Sequence, residues 1–372
     1  MTADALADLR RRAYDEVGPL PTVDLRPATA VSHVLAEPVH ALVDLPPQEL
    51  AALGGWAVAG PGPWFLVAPV HDSTPLADGT AAAVESGTAL PYGATSVVAA
   101  HTGLVADGRL HAPTLLGDHI RPRGAEVAAG TLLIPAATVV TPGAAALAAA
   151  GGNDRILVTG RPTIAVLVTY GGGADPSAPA AVEAMLPALL TSAGAIDAAT
   201  RRIPDTSVAM RSTIEAVHAD VVVVTGVAHD ERARSLDTVL AEARADVVID
   251  GRRDAQTIAD TSAWLLARLR DGRIVVGLPG DLRSAVAEVL TLVRPLTTGL
   301  SGYAPEELGT RALDVDVIGR PDLHTFVFVR GTRPTPDHGP ATGHGVAAAD
   351  ALVLVPSLGA AAGTPLPVLP VH

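Results

Sequence analysis

The residues best suited to chemistry lie where a strand runs into a helix. Ile274–Ala285 reads Ile-Val-Val-Gly-Leu-Pro-Gly-Asp-Leu-Arg-Ser-Ala. The β-branched start suits a buried strand, Pro279 and Gly280 turn the chain, and Asp281 caps the helix that follows. Amides at such a helix start hold anions in α/β proteins; an ordinary strand-to-helix corner is the alternative. The apolar face of the helix is Leu282, Val286, Val289, Leu290 and Val293, and its end is expected near Pro295. Gly171, Gly172 and Gly173 follow another apolar run and offer amides of the same kind; Thr225 and Gly226 close a third. Oxygen ligands for a hard cation are available from Asp175, Asp205, Asp230 and Asp281, with His229 beside them. Asp230 and Asp281 also stand where helix caps stand, and Asp175 and Asp205 lie in loops.

The elements that must position these residues follow from composition and period. The chain has 372 residues, 48% hydrophobic and 17% charged, enough for several buried cores. Aromatics are only 3%, so Ala, Val and Leu fill those cores and no stacking platform for single-stranded nucleic acid is present. A net charge of −13 without a basic run argues against nucleic-acid and anionic-membrane partners. There is no cysteine, hence no disulfide, thiolate site or Cys nucleophile. Neither a P-loop nor a Gly-x-Ser-x-Gly elbow occurs. Residues 1–17 read as an amphipathic helix rather than a signal peptide. Val127–Asn153 and Ala351–Val371 are long and uncharged, but Pro and Gly interrupt both too often for a membrane span. A cytoplasmic location is the expectation.

Between Gly54 and Arg123, apolar runs at Trp56–Ala59, Trp64–Val70, Ser96–Ala100 and Arg109–Ala112 predict a small β domain. An Ala-rich helix is expected at Gly143–Ala150, closed by glycines. After Arg161-Pro162, strands at Ile164–Thr169, Asp220–Thr225, Val247–Ile249 and Ile274–Val276 alternate with helices at Ala181–Ala193, Val208–Val217, Glu231–Ala243 and Thr257–Leu269. That alternation predicts a doubly wound parallel sheet. Strands near Leu313–Val317, Thr325–Arg330 and Ala351–Val355 predict a last β domain.

Phrases in order along the chain carry a resemblance. They are Val34-Leu-Ala-Glu-Pro-Val39 with Asp44-Leu-Pro-Pro47, Gly54-Gly-Trp-Ala-Val58, Ser86-Gly-Thr-Ala-Leu-Pro91, Ile120-Arg-Pro-Arg-Gly124, Gly277-Leu-Pro-Gly-Asp281 with Ser284-Ala285, and Asp350-Ala-Leu-Val353 with Pro356. Together they resemble the MoeA/gephyrin-E family of molybdopterin molybdenumtransferases, over nearly the whole chain. The resemblance implies an elongated α/β multidomain protein, with a doubly wound parallel-sheet (MogA-like) domain and small β domains. The expected divisions are a discontinuous linking domain (22–53 and 124–160), an inserted β domain (54–123), the doubly wound domain (1–21 and 161–302) and a C-terminal β domain (303–372). It implies a homodimer whose cleft lies between subunits, and contact with other cofactor-biosynthesis proteins. Adenylated molybdopterin and molybdate are the implied substrates and Mg²⁺ the implied cofactor. The binding residues carried over are Ser86, Gly87, Arg121, Gly171, Gly172, Gly173, Thr225, Gly226, Pro279, Gly280, Asp281 and Ser284.

The acids depart from the family pattern. Gly54 stands where the family has Asp, Gly171 and Gly172 where it has Asp and Glu, and His101 where it has Glu. Glu126 keeps its acid. With Asp205 and Asp230 it forms the candidate catalytic set. Glycine offers no oxygen to a cation that needs carboxylates. Two expectations follow: molybdate insertion at a rebuilt site, or a catalytically impaired paralogue that carries molybdopterin or serves as a dimeric scaffold.

Overall fold

A computed structural model describes residues 3–69, 75–170, 177–226, 231–251, 264–321, 323–335 and 344–371. The chain forms two units, residues 24–158 and residues 1–23 with 159–372.

In the first unit the short apolar runs pair into a six-stranded sheet. Its order is Ser96–Ala99, Gly55–Val58, Thr80–Val84, Trp64–Val67, Arg109–His111, Leu104–Ala106. Val58, Trp64, Ala81, Val98 and Leu110 fill one side of it. The Trp64 indole donates to the Gly60 carbonyl at 2.8 Å, which satisfies its one polar group. A separate core forms where Ala145 and Ala148 of the helix Pro142–Ala150 meet Leu35, Val39, Ile134 and Val158. Thr141 caps that helix, accepting from the Ala144 amide at 3.1 Å.

The second unit opens with α1 (Ala3–Asp15) and resumes with β1 (Thr163–Tyr170), α2 (Ser177–Ser192), β2 (Asp197–Pro204), α3 (Ser207–Ala216), β3 (Val221–Thr225), α4 (Glu231–Glu242), β4 (Asp246–Asp250), β5 (Leu265–Arg268) and β6 (Ile274–Leu278). The sheet order is β2-β1-β3-β6-β5-β4. The valines of β3 explain its central place. Val221 and Val223 pack on one face with α1 and α2, while Val222 and Val224 pack on the other with α3 and α4. A strand buried on both faces reads as a continuous apolar run.

The sheet is not wholly parallel. β2, β1, β3 and β6 run parallel; β5 runs antiparallel to β6, and β4 antiparallel to β5. This corrects the expected helix Thr257–Leu269: residues 257–263 lie outside the described residues, and Leu265–Arg268 is strand. Leu-Leu-Ala-Arg suits a helix by propensity. A tight turn overrides it, with the Leu269 amide donating to the Arg273 carbonyl at 2.8 Å and Gly272 at φ +90°. The Asp271-Gly272 pair is the hairpin signal that the helical spacing hid.

After β6 come α5 (Leu282–Glu288), one π turn (Val289–Val293) and α6 (Arg294–Leu300). The expected stop near Pro295 does not occur. Proline lacks an amide but fits a first helical turn, and Pro295 sits in the first turn of α6, so the helix resumes through it. All of residues 284–300 except Arg294 are buried.

The chain ends in a five-stranded antiparallel sheet of β7 (Gly309–Ala312), β8 (Thr325–Arg330), β9 (Arg333–Pro334), β10 (Ala351–Val355) and β11 (Pro365–Pro370), ordered β7-β11-β10-β8-β9. Phe326, Phe328, Leu352, Leu354 and Leu369 share one core with α1, α2 and α5. The expected strand Leu313–Val317 is displaced to Gly309–Ala312, with Val317 making only a single bridge to Ala360.

Candidate functional site

Strands β1, β3 and β6 end at one edge of the sheet, and two of the glycines expected there, Gly226 and Gly280, are in contact. The Thr169 hydroxyl donates to the Thr225 carbonyl at 2.7 Å, and both residues are buried. Gly226 follows with φ +88°, and a Cβ there would strike the Thr169 hydroxyl. At Gly280 an added Cβ would lie 3.1 Å from the Gly226 Cα. The two loops therefore touch backbone to backbone. The Asp281 carboxylate accepts from the Ser284 amide at 2.9 Å. That is the expected cap, and it commits one carboxylate oxygen to the helix. Asp205 reaches the same edge from β2, its amide donating to the Tyr170 carbonyl at 3.0 Å.

Two residues at this edge were not singled out from the sequence. Thr169 is one. Asp250 is the other, buried at the end of β4 and paired in register with Leu265, which pairs with Gly277. An acid closing the run Val-Val-Ile before Gly251 was the available signal.

The other unit gathers its own set. Ser86 donates its hydroxyl to the Ala52 carbonyl at 3.1 Å. Gly87, at φ +78°, donates its amide to the Ala51 carbonyl at 2.8 Å. Arg121 lies opposite Leu50 in a two-residue ladder, and its guanidinium pairs with the Glu126 carboxylate. Residues 50–54 thus hold Ser86, Gly87, Arg121 and Glu126 together. Glu126 is occupied by Arg121 rather than grouped with other acids. At Gly54 an added Cβ would meet the Ser86 amide at an ordinary 3.7 Å, so a side chain fits there.

Gly171, Gly172, Gly173, Asp175, His229 and Asp230 lie outside the described residues. Among the described residues no three His, Asp or Glu side chains stand close enough to hold a metal ion. The sheet order explains why its edge does not supply one: β2 and β4 are its outer strands. Strands are about 4.8 Å apart, so Asp205 and Asp250 are separated by roughly five such spacings. The described part of the edge does not fit a divalent cation. It presents glycine backbone instead, a group suited to an anion.

Residues 3–152 match the family model described as the MoeA N-terminal region, domains I and II. Molybdopterin molybdenumtransferase 2 of Mycobacterium tuberculosis, in strains CDC 1551 / Oshkosh and H37Rv, is 30% identical over 218 residues, or 52% of this chain and 54% of the relative. The chain thus matches these curated relatives over about half their length. Two solved structures of the molybdopterin biosynthesis MoeA protein from Pyrococcus horikoshii share the fold. One has a TM-score of 0.74 at 20% identity, covering 99% of this chain and 98% of that one. The other has a TM-score of 0.68 at 18% identity, covering 98% and 99%. A molybdenum cofactor biosynthesis protein from Pyrococcus furiosus follows at 0.55 and 15% identity, covering 96% of each chain. Among the described residues no helix is long and apolar enough to cross a membrane.

Proposed function

We propose that the chain is a member of the MoeA family and serves molybdenum cofactor biosynthesis by binding a molybdopterin nucleotide at the edge formed by Thr169, Thr225, Gly226, Gly280 and Asp281. The observation that carries this is the contact of Gly280 with Gly226, which lines the edge with backbone where a phosphate-bearing ligand needs close approach. Transfer of molybdenum, the activity named for the curated relatives, is one form of this reading. It requires acids to bind Mg²⁺ and stabilise charge at the phosphoanhydride.

A specific observation favours the other form. Glu126 is held by Arg121, Asp281 caps a helix, and Asp205 and Asp250 stand on opposite outer strands. In this form the protein is a dimeric, cytoplasmic carrier or scaffold for molybdopterin, working beside other cofactor-biosynthesis proteins, and its central sheet is the MogA-like part.

The test is a single assay. Adenylated molybdopterin is supplied with Mg²⁺ and molybdate, and both binding and AMP release are measured. Release above a heat-treated control establishes the transferase; binding without release establishes the carrier. Absence of binding overturns both. Light scattering that gives a monomer mass overturns the dimer.

A further inference from the structure

One buried ionisable group plays no part in the site above. Glu288 ends α5, is 1% exposed, and neither of its carboxyl oxygens has a hydrogen-bond partner. The hydroxyl of Thr291, inside the π turn, is equally buried and equally unpartnered. Buried polar groups are nearly always paired, so such orphans call for an explanation. A charged carboxylate here would stand unpaired in an apolar core, which is costly. Burial pushes the Glu288 carboxyl well above the ordinary carboxylate range, and the charge of Asp281 pushes the same way. The nearest buried cation, Arg10 of α1, which packs on the π turn, is engaged with the Leu290 carbonyl and the Glu306 carboxylate. Helix α5 packs on α2, β6 and the π turn; β6 and the π turn hold no ionisable side chain. The one acid of α2, Glu183, is paired with Arg202, and Arg283 of α5 lies over the Phe328 ring, 5.1 Å from its centroid.

The helix is also irregular at this point. A π turn holds one residue more than an α turn, and such turns mark functional sites. Absorbing the extra residue into regular helix rotates the segment before it by about 100°. That segment is α5, with Glu288 at one end and the Gly277–Asp281 turn at the other.

We propose that α5 is a proton-operated latch on the Gly277–Asp281 turn, with Glu288 as the group that binds and releases the proton. With its proton, Glu288 stays in the core and the turn keeps Gly280 against Gly226. When the proton passes to a solvent base, the carboxylate leaves the core, α5 rotates at the π turn, and Gly280 parts from Gly226. The importance of the motion rests on reading that turn as the ligand edge, whereas its test reads the helix in the ligand-free protein, so either can fail alone.

Hydrogen exchange of the segment 281–293 is followed from roughly pH 6 to pH 9, the range reached by buried carboxyls, after correction for base catalysis. The wild type should lose protection by up to about tenfold per unit of pH as the pH rises toward the raised pKa of the folded group, while β3 keeps its protection. Glu288→Gln should show no such dependence, and should lose a carboxylic-acid infrared band that the wild type carries at neutral pH. A flat wild-type profile, the same fall in Glu288→Gln, a parallel fall in β3, or an unchanged infrared band would each overturn the latch.

Discussion

The carbonyl of Leu290 accepts a hydrogen bond from the Arg10 guanidinium, across 280 residues of sequence. In a π turn each amide donates to the carbonyl five residues back, as Arg294 does to Val289. The donor for Leu290 would be residue 295, which is proline and has no amide. Arg10 therefore fills a vacancy that Pro295 creates. Its other terminal nitrogen reaches Glu306 at 3.2 Å, and Glu306 also accepts from Arg294 at 3.1 Å. One carboxylate thus ties α1 and α6 to the segment that leads into the last sheet. The helix behind the candidate edge is held by a residue near the chain's start.

Gly226 is expected to be the least replaceable glycine of the edge. It has φ +88°, and a Cβ would strike Thr169. Gly272 has φ +90° with nothing within 4 Å, which makes it the control. Gly272→Ala should cost about 1 kcal/mol from backbone strain alone. Gly226→Ala should cost about 3 kcal/mol, because the clash adds to the strain. Urea midpoints of the two variants give the difference; equal losses would show that the Thr169 contact does not matter.

At Gly54 the opposite holds. Its backbone is outside the left-handed region and its nearest neighbour leaves ordinary room. Gly54→Asp should leave stability within about 0.5 kcal/mol of the wild type. Packing therefore did not force the loss of an acid at this position. On the carrier reading the variant still releases no AMP from adenylated molybdopterin, because Gly171 and Gly172 also lack carboxylates. AMP release by this single variant would place the missing function at residue 54.

What the sequence revealed about the fold depended on whether the decisive contacts were local. The valines of β3 and the Pro279-Gly280-Asp281 turn carry their own instructions, as β-branched burial, a break and a cap. Leu265–Arg268 does not: only pairing with β4 and β6 makes it a strand. Strand β11 is hidden by Pro365, Pro367 and Pro370, although β7 and β10 flank it on both sides. The role of Pro295 depends on Arg10, which no local pattern links to it. In the site, Gly226 and Gly280 were legible as loop glycines, but their contact was not, nor was the hydroxyl of Thr169 behind them. Ser86 and Arg121 were placed by family resemblance; the short ladder of Leu50 and Arg121 is what brings them together.

Asp350 gives a pH prediction with a definite sign. Its carboxylate accepts from the Gly331 amide at 2.7 Å and from Arg311, and these bonds hold its carboxyl below the ordinary range. A carboxyl lowered on folding stabilises the protein above its unfolded pKa of about 3.9, and that stabilisation disappears as pH falls through the folded value. The stability gap between wild type and Asp350→Asn should be constant above about pH 5 and close in acid. A gap that persists to the lowest pH at which the protein folds would assign the effect to shape rather than charge.

The strongest test of the Arg10 contact is its coupling to Pro295. Arg10→Met removes both donors and strands the buried Leu290 carbonyl, which should cost about 1–3 kcal/mol. Glu306 keeps Arg294 as a partner, so the loss should not reach the value for an abandoned buried charge. Pro295→Ala restores an amide that can serve the Leu290 carbonyl from within the helix. In that background Arg10→Met should cost less, because the carbonyl is no longer stranded. Urea unfolding of the four proteins of the cycle measures the difference, expected at about 1 kcal/mol and within the range for residues that share a partner. Additive losses would mean that Arg10 holds α1 in place through Glu306 and packing alone, with the Leu290 carbonyl a bystander.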